Sequence, residues 1–93
     1  MPNIAVVILN YNGENYLKQF LPSVLQYSDQ AKVYVADNAS TDGSNKVLKE
    51  AFSEVTLIEF NKNHGFAGGY NEALKEIDAD YYVLLNSDVE VTP

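Results

Sequence analysis

Four short apolar runs alternate along this chain with three segments of helical spacing, and each run ends in a polar turn. The runs are Ile4 to Leu9, Lys32 to Ala36, Val55 to Phe60 and Tyr81 to Leu85. The first run, Ile4 to Leu9, is continuously apolar, which is typical of a parallel strand that is buried on both faces. The order β-α-β-α-β-α-β therefore predicts an α/β fold with three layers, in which helices cover both faces of a mostly parallel four-stranded sheet.

The helical segments are indicated by apolar residues that recur every three or four positions. The first runs from Leu17 to Leu25, and its apolar face includes Phe20. It also contains Pro22, which removes a backbone hydrogen bond, so we expect a kink there or a helix in two pieces. For the second helix, Ser40 or Asp42 is the candidate N-cap.

The polar turns after the four strands are the candidate binding site. They are Asn10 to Asn12, the turn that begins at Asp37, Asn61 to Gly65, and Asn86 to Asp88. In open parallel sheets a ligand binds outside the carboxyl ends of the strands, where the strand order reverses. We therefore expect the four turns to converge on one crevice.

The turn residues themselves allow two interpretations. Asp37 and Asn38 suit hydrogen bonds to a nucleobase edge or a ribose hydroxyl, although an Asp-Asn pair also serves as an ordinary helix-capping turn. Asp42 is better explained as a cap or a first-turn acid favoured by the helix dipole. Tyr11 offers a ring for stacking on a base, and core packing would explain that ring almost as well.

Gly65 to Gly69 follows a strand and opens a helix, as phosphate-binding loops do. It matches no complete phosphate-loop motif, so close packing of helix on sheet explains Gly68 or Gly69 equally well. His64 is isolated in a polar turn, and a solvated or structural role is the better interpretation. Asn86, Asp88 and Glu90 form an oxygen-only set that suits Mg²⁺ or Mn²⁺, with a plain turn carboxylate as the alternative.

Charge and composition narrow the possible ligands. Thirteen acidic residues against six basic ones give a formal charge of −7, which disfavours nucleic acid as a partner. A small phosphorylated ligand remains compatible, because backbone amides or a cation can neutralise it. The absence of cysteine favours a reducing compartment. No apolar run approaches the ~20 residues of a membrane span, so we expect a cytoplasmic protein, with peripheral membrane contact open for a longer parent.

The four turns together resemble those of family-two glycosyltransferases, which are nucleotide-sugar-dependent enzymes of the GT-A fold. The matching phrases begin at Val6, Val35, Asn61 and Leu84, and they are VVILNYNG, VADNASTDGS, NKNHGFAGGYN and LLNSDVEV. They cover nearly the whole chain and are similar to the rhamnosyltransferase-like branch. The resemblance implies strand order 3-2-1-4, the Rossmann-like half of a GT-A domain, and a chain that spans, in residues 1–93, only the N-terminal nucleotide-binding portion.

The resemblance also implies residue roles. Tyr11 would stack near the base of a UDP- or dTDP-sugar, and Asp37 would hydrogen-bond that base. Asp88 matches the last acid of the family's Asp-x-Asp metal motif, whose first position is Asn86 here, so the metal set is one carboxylate short. With the turn residues, the candidate nucleotide-binding set is Asn10, Tyr11, Asp37, Asn38, Asn63, Gly65 and Asn71.

The parent enzyme implied by this resemblance transfers a sugar, with inversion, to a hydroxyl of an acceptor glycan or lipid-linked sugar in cell-wall or polysaccharide biosynthesis. Its general base is expected beyond Pro93, so the fragment alone is expected to be inactive. The alternative is a catalytically silent domain that binds a partner. A receiver-like domain would need paired acids after the first strand, where Asn10 to Asn12 stand. A bare outer edge of the fourth strand predicts self-association.

Overall fold

A computed structural model of the chain describes residues 3–26 and 31–86, apart from the side chains of Phe66 and Asn86. Strands and helices alternate through this part of the chain. They are β1 Ile4–Asn10, α1 Glu14–Gln26, β2 Lys32–Asp37, α2 Ser44–Ala51, β3 Thr56–Glu59, α3 Gly65–Lys75 and β4 Tyr81–Asn86.

The four strands form one parallel sheet in the order β3-β2-β1-β4. This confirms the predicted α/β class and the strand order. The carboxyl ends of β1 and β2 are level, because Asn10 pairs with Asp37. On the other side of β1, Leu9 pairs with Asn86. The strand order reverses at β1, so a crevice at this edge lies where ligands of open parallel sheets bind.

Two apolar clusters cover the two faces of the sheet. Successive side chains of a strand point to opposite faces, so Val6 and Ile8 belong to the cluster beneath α1 and α2, whereas Val7 and Leu9 pack against α3. Leu17, Leu21 and Leu48 complete the first cluster, and Tyr70, Ala73 and Ile77 complete the second. The arrangement confirms the three predicted layers.

Helix α1 is continuous from Glu14 to Gln26 and contains Pro22, so it is not in two pieces. Pro22 lies on the exposed side, where water can bond the carbonyl group that lacks its usual N–H partner. Phe20, which the helical spacing placed on the apolar face, is 40% exposed and stacks on the ring of Tyr16. In the described part of the chain, no helix has the length and apolar character needed to cross a bilayer.

The prediction of the cap of α2 was wrong. The helix begins at Ser44 after Gly43, and no side chain caps it in the usual geometry. Ser40 bonds Asp37 instead, and the carboxylate of Glu14 in α1 accepts the N–H of Gly43. Asp42 accepts the N–H of Ser44. The N–H groups of Gly43 and Ser44 are thus bonded by Glu14 of α1 and by Asp42, and not by the side chain of an N-cap residue.

Candidate functional site

Asp37, at the end of β2, is the buried centre of the carboxyl edge. Its Oδ1 accepts hydrogen bonds from Asn10 Nδ2 at 2.9 Å and from Ser40 Oγ at 2.5 Å. Its Oδ2 accepts the N–H of Ser40 at 2.9 Å and Asn45 Nδ2 at 3.3 Å. A carboxylate has about four acceptor sites, and these four bonds use them. A direct bond from Asp37 to a nucleobase stays a prediction, and it requires one of these donors to move.

Asn10 links the same centre to the β1–α1 turn. Its side chain is fully buried, and besides Asp37 its Nδ2 reaches Ser40 Oγ at 3.2 Å. Its Oδ1 accepts the N–H of Gly13 at 3.2 Å. Asn10 therefore supports the turn that carries Tyr11, whose ring is 40% exposed. This exposure removes the core-packing interpretation of Tyr11 and leaves its ring available to a ligand.

Asn12 locks the β1–α1 turn to the β2–α2 turn. It has a φ of 53°, in the left-handed region that Asn tolerates. Its Oδ1 accepts the N–H of Thr41 at 2.7 Å and of Asp42 at 3.2 Å, and its own N–H donates to Ser40 Oγ at 2.9 Å. Asn12 lies in one of the turns predicted to form the site, but neither Asn12 nor Ser40 was named in the nucleotide-binding set. The only signal in the sequence is their turn-forming residue type.

Two acids tighten the same junction. Asp42 Oδ2 accepts the N–H of Glu14 at 3.1 Å, and Glu14 Oε1 accepts the N–H of Gly43 at 2.8 Å. The hydrogen bond from Lys18, and then that from Gly43, lower the pKa of Glu14. Burial alone would raise the pKa of Asp42, but hydrogen bonds from the Ser44 hydroxyl and backbone and from Glu14 outweigh it and hold the pKa below its usual value.

Asn38 holds the β3–α3 turn. Its side chain is buried, with Nδ2 donating to the carbonyl of Gly65 and Oδ1 accepting the N–H of His64, both at 3.1 Å. Gly65 has a φ of +74°, and Asn63 Oδ1 accepts its N–H at 2.7 Å. The ring of His64 packs edge-on against Phe60, which agrees with a structural role. The turn that contains Asn63 and Gly65 is thus fixed to the end of β2.

At Gly69, helix α3 lies close to Leu9 of β1 and to Asn38. A methyl group built there would lie 2.6 Å from Leu9 Cδ1 and 2.8 Å from Asn38 Nδ2. A methyl group on Gly68 would meet only the Cβ of His64, at 3.3 Å. The packing interpretation of these glycines therefore fits Gly69 in particular.

The structure brings together only some of the residues that were predicted to bind the nucleotide. Asn10 and Asp37 are joined by a buried side-chain hydrogen bond, and the backbone N–H of Asn38 donates to the carbonyl of Asn10. The side chain of Asn38 holds the turn that contains Asn63 and Gly65. Asn71 lies further along α3, where it lines an open groove with His64, Gly68, Glu72, Leu74 and Lys75. Asp88 and Glu90 lie outside the described residues, and only the backbone of Asn86 is described. Among described residues, no three His, Cys, Asp or Glu side chains are grouped to hold a metal ion.

Comparison with known proteins agrees with this architecture. The family model described as glycosyl transferase family 2 matches residues 5–93. The teichoic acid poly(glycerol phosphate) polymerase of Staphylococcus epidermidis is 29% identical, with the match covering 98% of this chain and 13% of that protein. The undecaprenyl-phosphate 4-deoxy-4-formamido-L-arabinose transferase of Proteus mirabilis is 29% identical over 97% of this chain and 30% of its own length. The chain thus spans less than a third of these two relatives.

Solved structures share the fold. The mannosyltransferase PcManGT from Pyrobaculum calidifontis, in complex with GDP-Man and Mn²⁺, has a TM-score of 0.82 and 26% identity over 94% of this chain and 28% of that one. Residues 1–349 of S. aureus TarS, in complex with UDP-GlcNAc, have a TM-score of 0.80 and 23% identity over 92% of this chain and 26% of theirs. The TarS likeness supports the fold alone.

Proposed function

The chain belongs to glycosyl transferase family 2, and from this premise we propose that it is the nucleotide-sugar-binding portion of a longer glycosyltransferase. The observation that carries the proposal is the joined set of three turns at the carboxyl edge, which hold Tyr11 exposed above a buried polar network. This is the edge at which parallel α/β sheets bind nucleotides. The complex of PcManGT with GDP-Man supports the same ligand class.

In this proposal, different residues contact different parts of the nucleotide sugar. The ring of Tyr11 stacks on the base, and Asn10, Asp37 and Asn38 form the floor on that side. Asn63 and Gly65 present the β3–α3 turn to the sugar and diphosphate, and Asn71 extends this side of the site along α3 (Asn10, Tyr11, Asp37, Asn38, Asn63, Gly65 and Asn71 in full). UDP- and dTDP-sugars are the proposed donors.

The chain has a formal charge of −7, so the negative charge of a diphosphate must be neutralised when it binds. Asp88, with Asn86 and Glu90, has the carboxylate and amide oxygens that Mg²⁺ and Mn²⁺ prefer. A divalent cation held there would neutralise charge on the leaving diphosphate. The complex of PcManGT contains Mn²⁺, which supports this class of metal.

For the parent protein we propose inverting transfer to an acceptor hydroxyl of a glycan or lipid-linked sugar, in the cytoplasm, during cell-wall or polysaccharide synthesis. One relative described above is named for teichoic acid polymerisation and the other for transfer of a modified arabinose with undecaprenyl phosphate, which supports the context of cell-wall or polysaccharide synthesis. The general base would lie beyond Pro93, so the 93-residue chain binds donor without transferring it.

Calorimetric titration with UDP and dTDP, each with and without Mn²⁺, tests the binding proposal. Tyr11→Ala should weaken UDP binding by about tenfold, because stacking of a base on an aromatic ring contributes ~1–3 kcal/mol. Tyr81→Ala is the matched control, since Tyr81 is also exposed but lies at the amino end of β4. Wild-type protein that gives no heat at millimolar UDP, or equal affinity in both variants, would contradict the proposal.

A silent partner-binding domain is the second candidate. It is favoured by β4, in which five consecutive large apolar residues, from Tyr81 to Leu85, are all exposed. A second copy of this chain is the partner that we propose for this strand. Silent nucleotide titrations combined with stable self-association would favour this candidate over nucleotide binding.

A further inference from the structure

Asn38 has a more specific arrangement than a turn residue requires. The orientation of its amide is fixed by its neighbours, because Oδ1 faces the N–H of His64 and Nδ2 faces the carbonyl of Gly65. Turning the amide over would set donor against donor and acceptor against acceptor. These two bonds join the end of β2 to backbone groups on both sides of the His64–Gly65 peptide bond.

A second contact fixes Asn38 from the side of α3. Gly69 leaves no space for a methyl group, which would lie 2.8 Å from Asn38 Nδ2. The first turns of α3 therefore rest on the same amide that holds the preceding turn. The carboxylate of Asp37, the neighbouring residue, is bonded instead to Asn10, Ser40 and Asn45. Two adjacent side chains thus support different parts of the carboxyl edge.

We propose that Asn38 is a positioning residue, which sets the nucleotide affinity of the site by fixing the β3–α3 turn and the start of α3 against β2. This proposal rests on the proposed nucleotide-binding function. Asn38 acts through the backbone of residues 63–65, so its loss should loosen that turn and lower affinity while the rest of the fold persists.

Amide hydrogen exchange on the 93-residue chain tests whether Asn38 fixes the β3–α3 turn. In Asn38→Ala, the N–H of His64 should exchange at least about tenfold faster, whereas amides of β1, which report global unfolding, should keep their wild-type rates. A purely structural contribution to stability would accelerate both sets in parallel. Asn45→Ala is the control, because it removes an amide on the Asp37 side and leaves the β3–α3 turn bonded.

Titration of variants with UDP tests whether the position of this turn sets the nucleotide affinity. Asn38→Ala and Gly69→Ala should each weaken UDP binding at least about fivefold, while Ala51→Ser, an equally small change at an exposed position in α2, should bind as the wild type does. Asn38→Asp keeps the acceptor for His64 but places an oxygen against the Gly65 carbonyl, so it should weaken binding even if the alanine variant does not fold.

The outcomes are distinguishable. Wild-type exchange at His64 in Asn38→Ala, or unchanged UDP affinity despite a loosened turn, would overturn the positioning role. Failure of the wild-type chain to bind UDP would overturn the proposed function and the affinity half of this inference, and the exchange data would still decide whether Asn38 fixes the turn.

Discussion

At the scale of single residues, the four hydrogen bonds to Asp37 make its charge difficult to replace. Asp37→Asn keeps the shape but removes acceptor capacity, and it sets an NH₂ group against buried donors. We expect a loss of about 1–3 kcal/mol in the free energy of unfolding, measured by urea denaturation. Asn45→Ala should cost less, because its bond to Asp37 is long, at 3.3 Å, and its buried Oδ1 has no hydrogen-bond partner among described residues. Equal losses in both variants would contradict this ranking.

Ala39 provides a second prediction at this scale. Its φ of 62° lies in the left-handed region, which disfavours residues with a Cβ by roughly 1–2 kcal/mol. Ala39→Gly should therefore raise the free energy of unfolding by up to about 1 kcal/mol, the extra backbone entropy of Gly offsetting part of the gain. Ala67→Gly, at an exposed position in the first turn of α3, should have the opposite sign. A destabilised Ala39→Gly variant would show that Ala39 is not strained.

At the scale of elements, the turn between β1 and α1 is fastened to the turn between β2 and α2 by acids. The pKa values of Glu14 and Asp42 are both below their usual range, so the stability they confer is present above pH 5 and is lost as the pH falls through their folded pKa values. The urea midpoint should therefore decrease on acidification, and less so in Asp42→Asn. Asp78→Asn, an exposed control, should retain the wild-type slope. Parallel pH profiles in all three proteins would contradict this.

The helices and strands also show which features of the structure the sequence predicted. The apolar runs predicted all four strands, and burial on both faces explains the runs of β1 and β2. It does not explain β3, which is only partly buried, or β4, in which residues 81–85 are exposed. The position of Phe20 was mispredicted because its ring pairs with that of Tyr16. The cap of α2 was mispredicted because the helix begins after Gly43 without a side-chain cap. The side-chain bonds of Asn12 and Asn38 join residues 26 to 30 positions apart. Turn composition predicts that such residues form turns, but it does not predict their partners.

At the scale of the whole molecule, the net charge opposes contact between copies, whereas the exposed strand β4 favours it. Each copy carries a formal charge of −7, which opposes contact between copies at low ionic strength. In the described part of the chain, no strand pairs with the outer edge of β4, and this strand contains neither a charged residue nor a proline. Charged residues and prolines are the usual protection of edge strands.

We therefore expect self-association through β4 that strengthens with salt. Added NaCl screens the repulsion but leaves the apolar contact of Tyr81 to Leu85 intact. Static light scattering over a concentration series, at low and high NaCl, should show a mass that rises with both variables. Leu84→Lys should restore the monomer, whereas Phe20→Lys, which removes an equally exposed apolar side chain from α1, should not. A monomer at every concentration and salt level would mean that an edge strand as apolar as β4 stays unpaired in this chain.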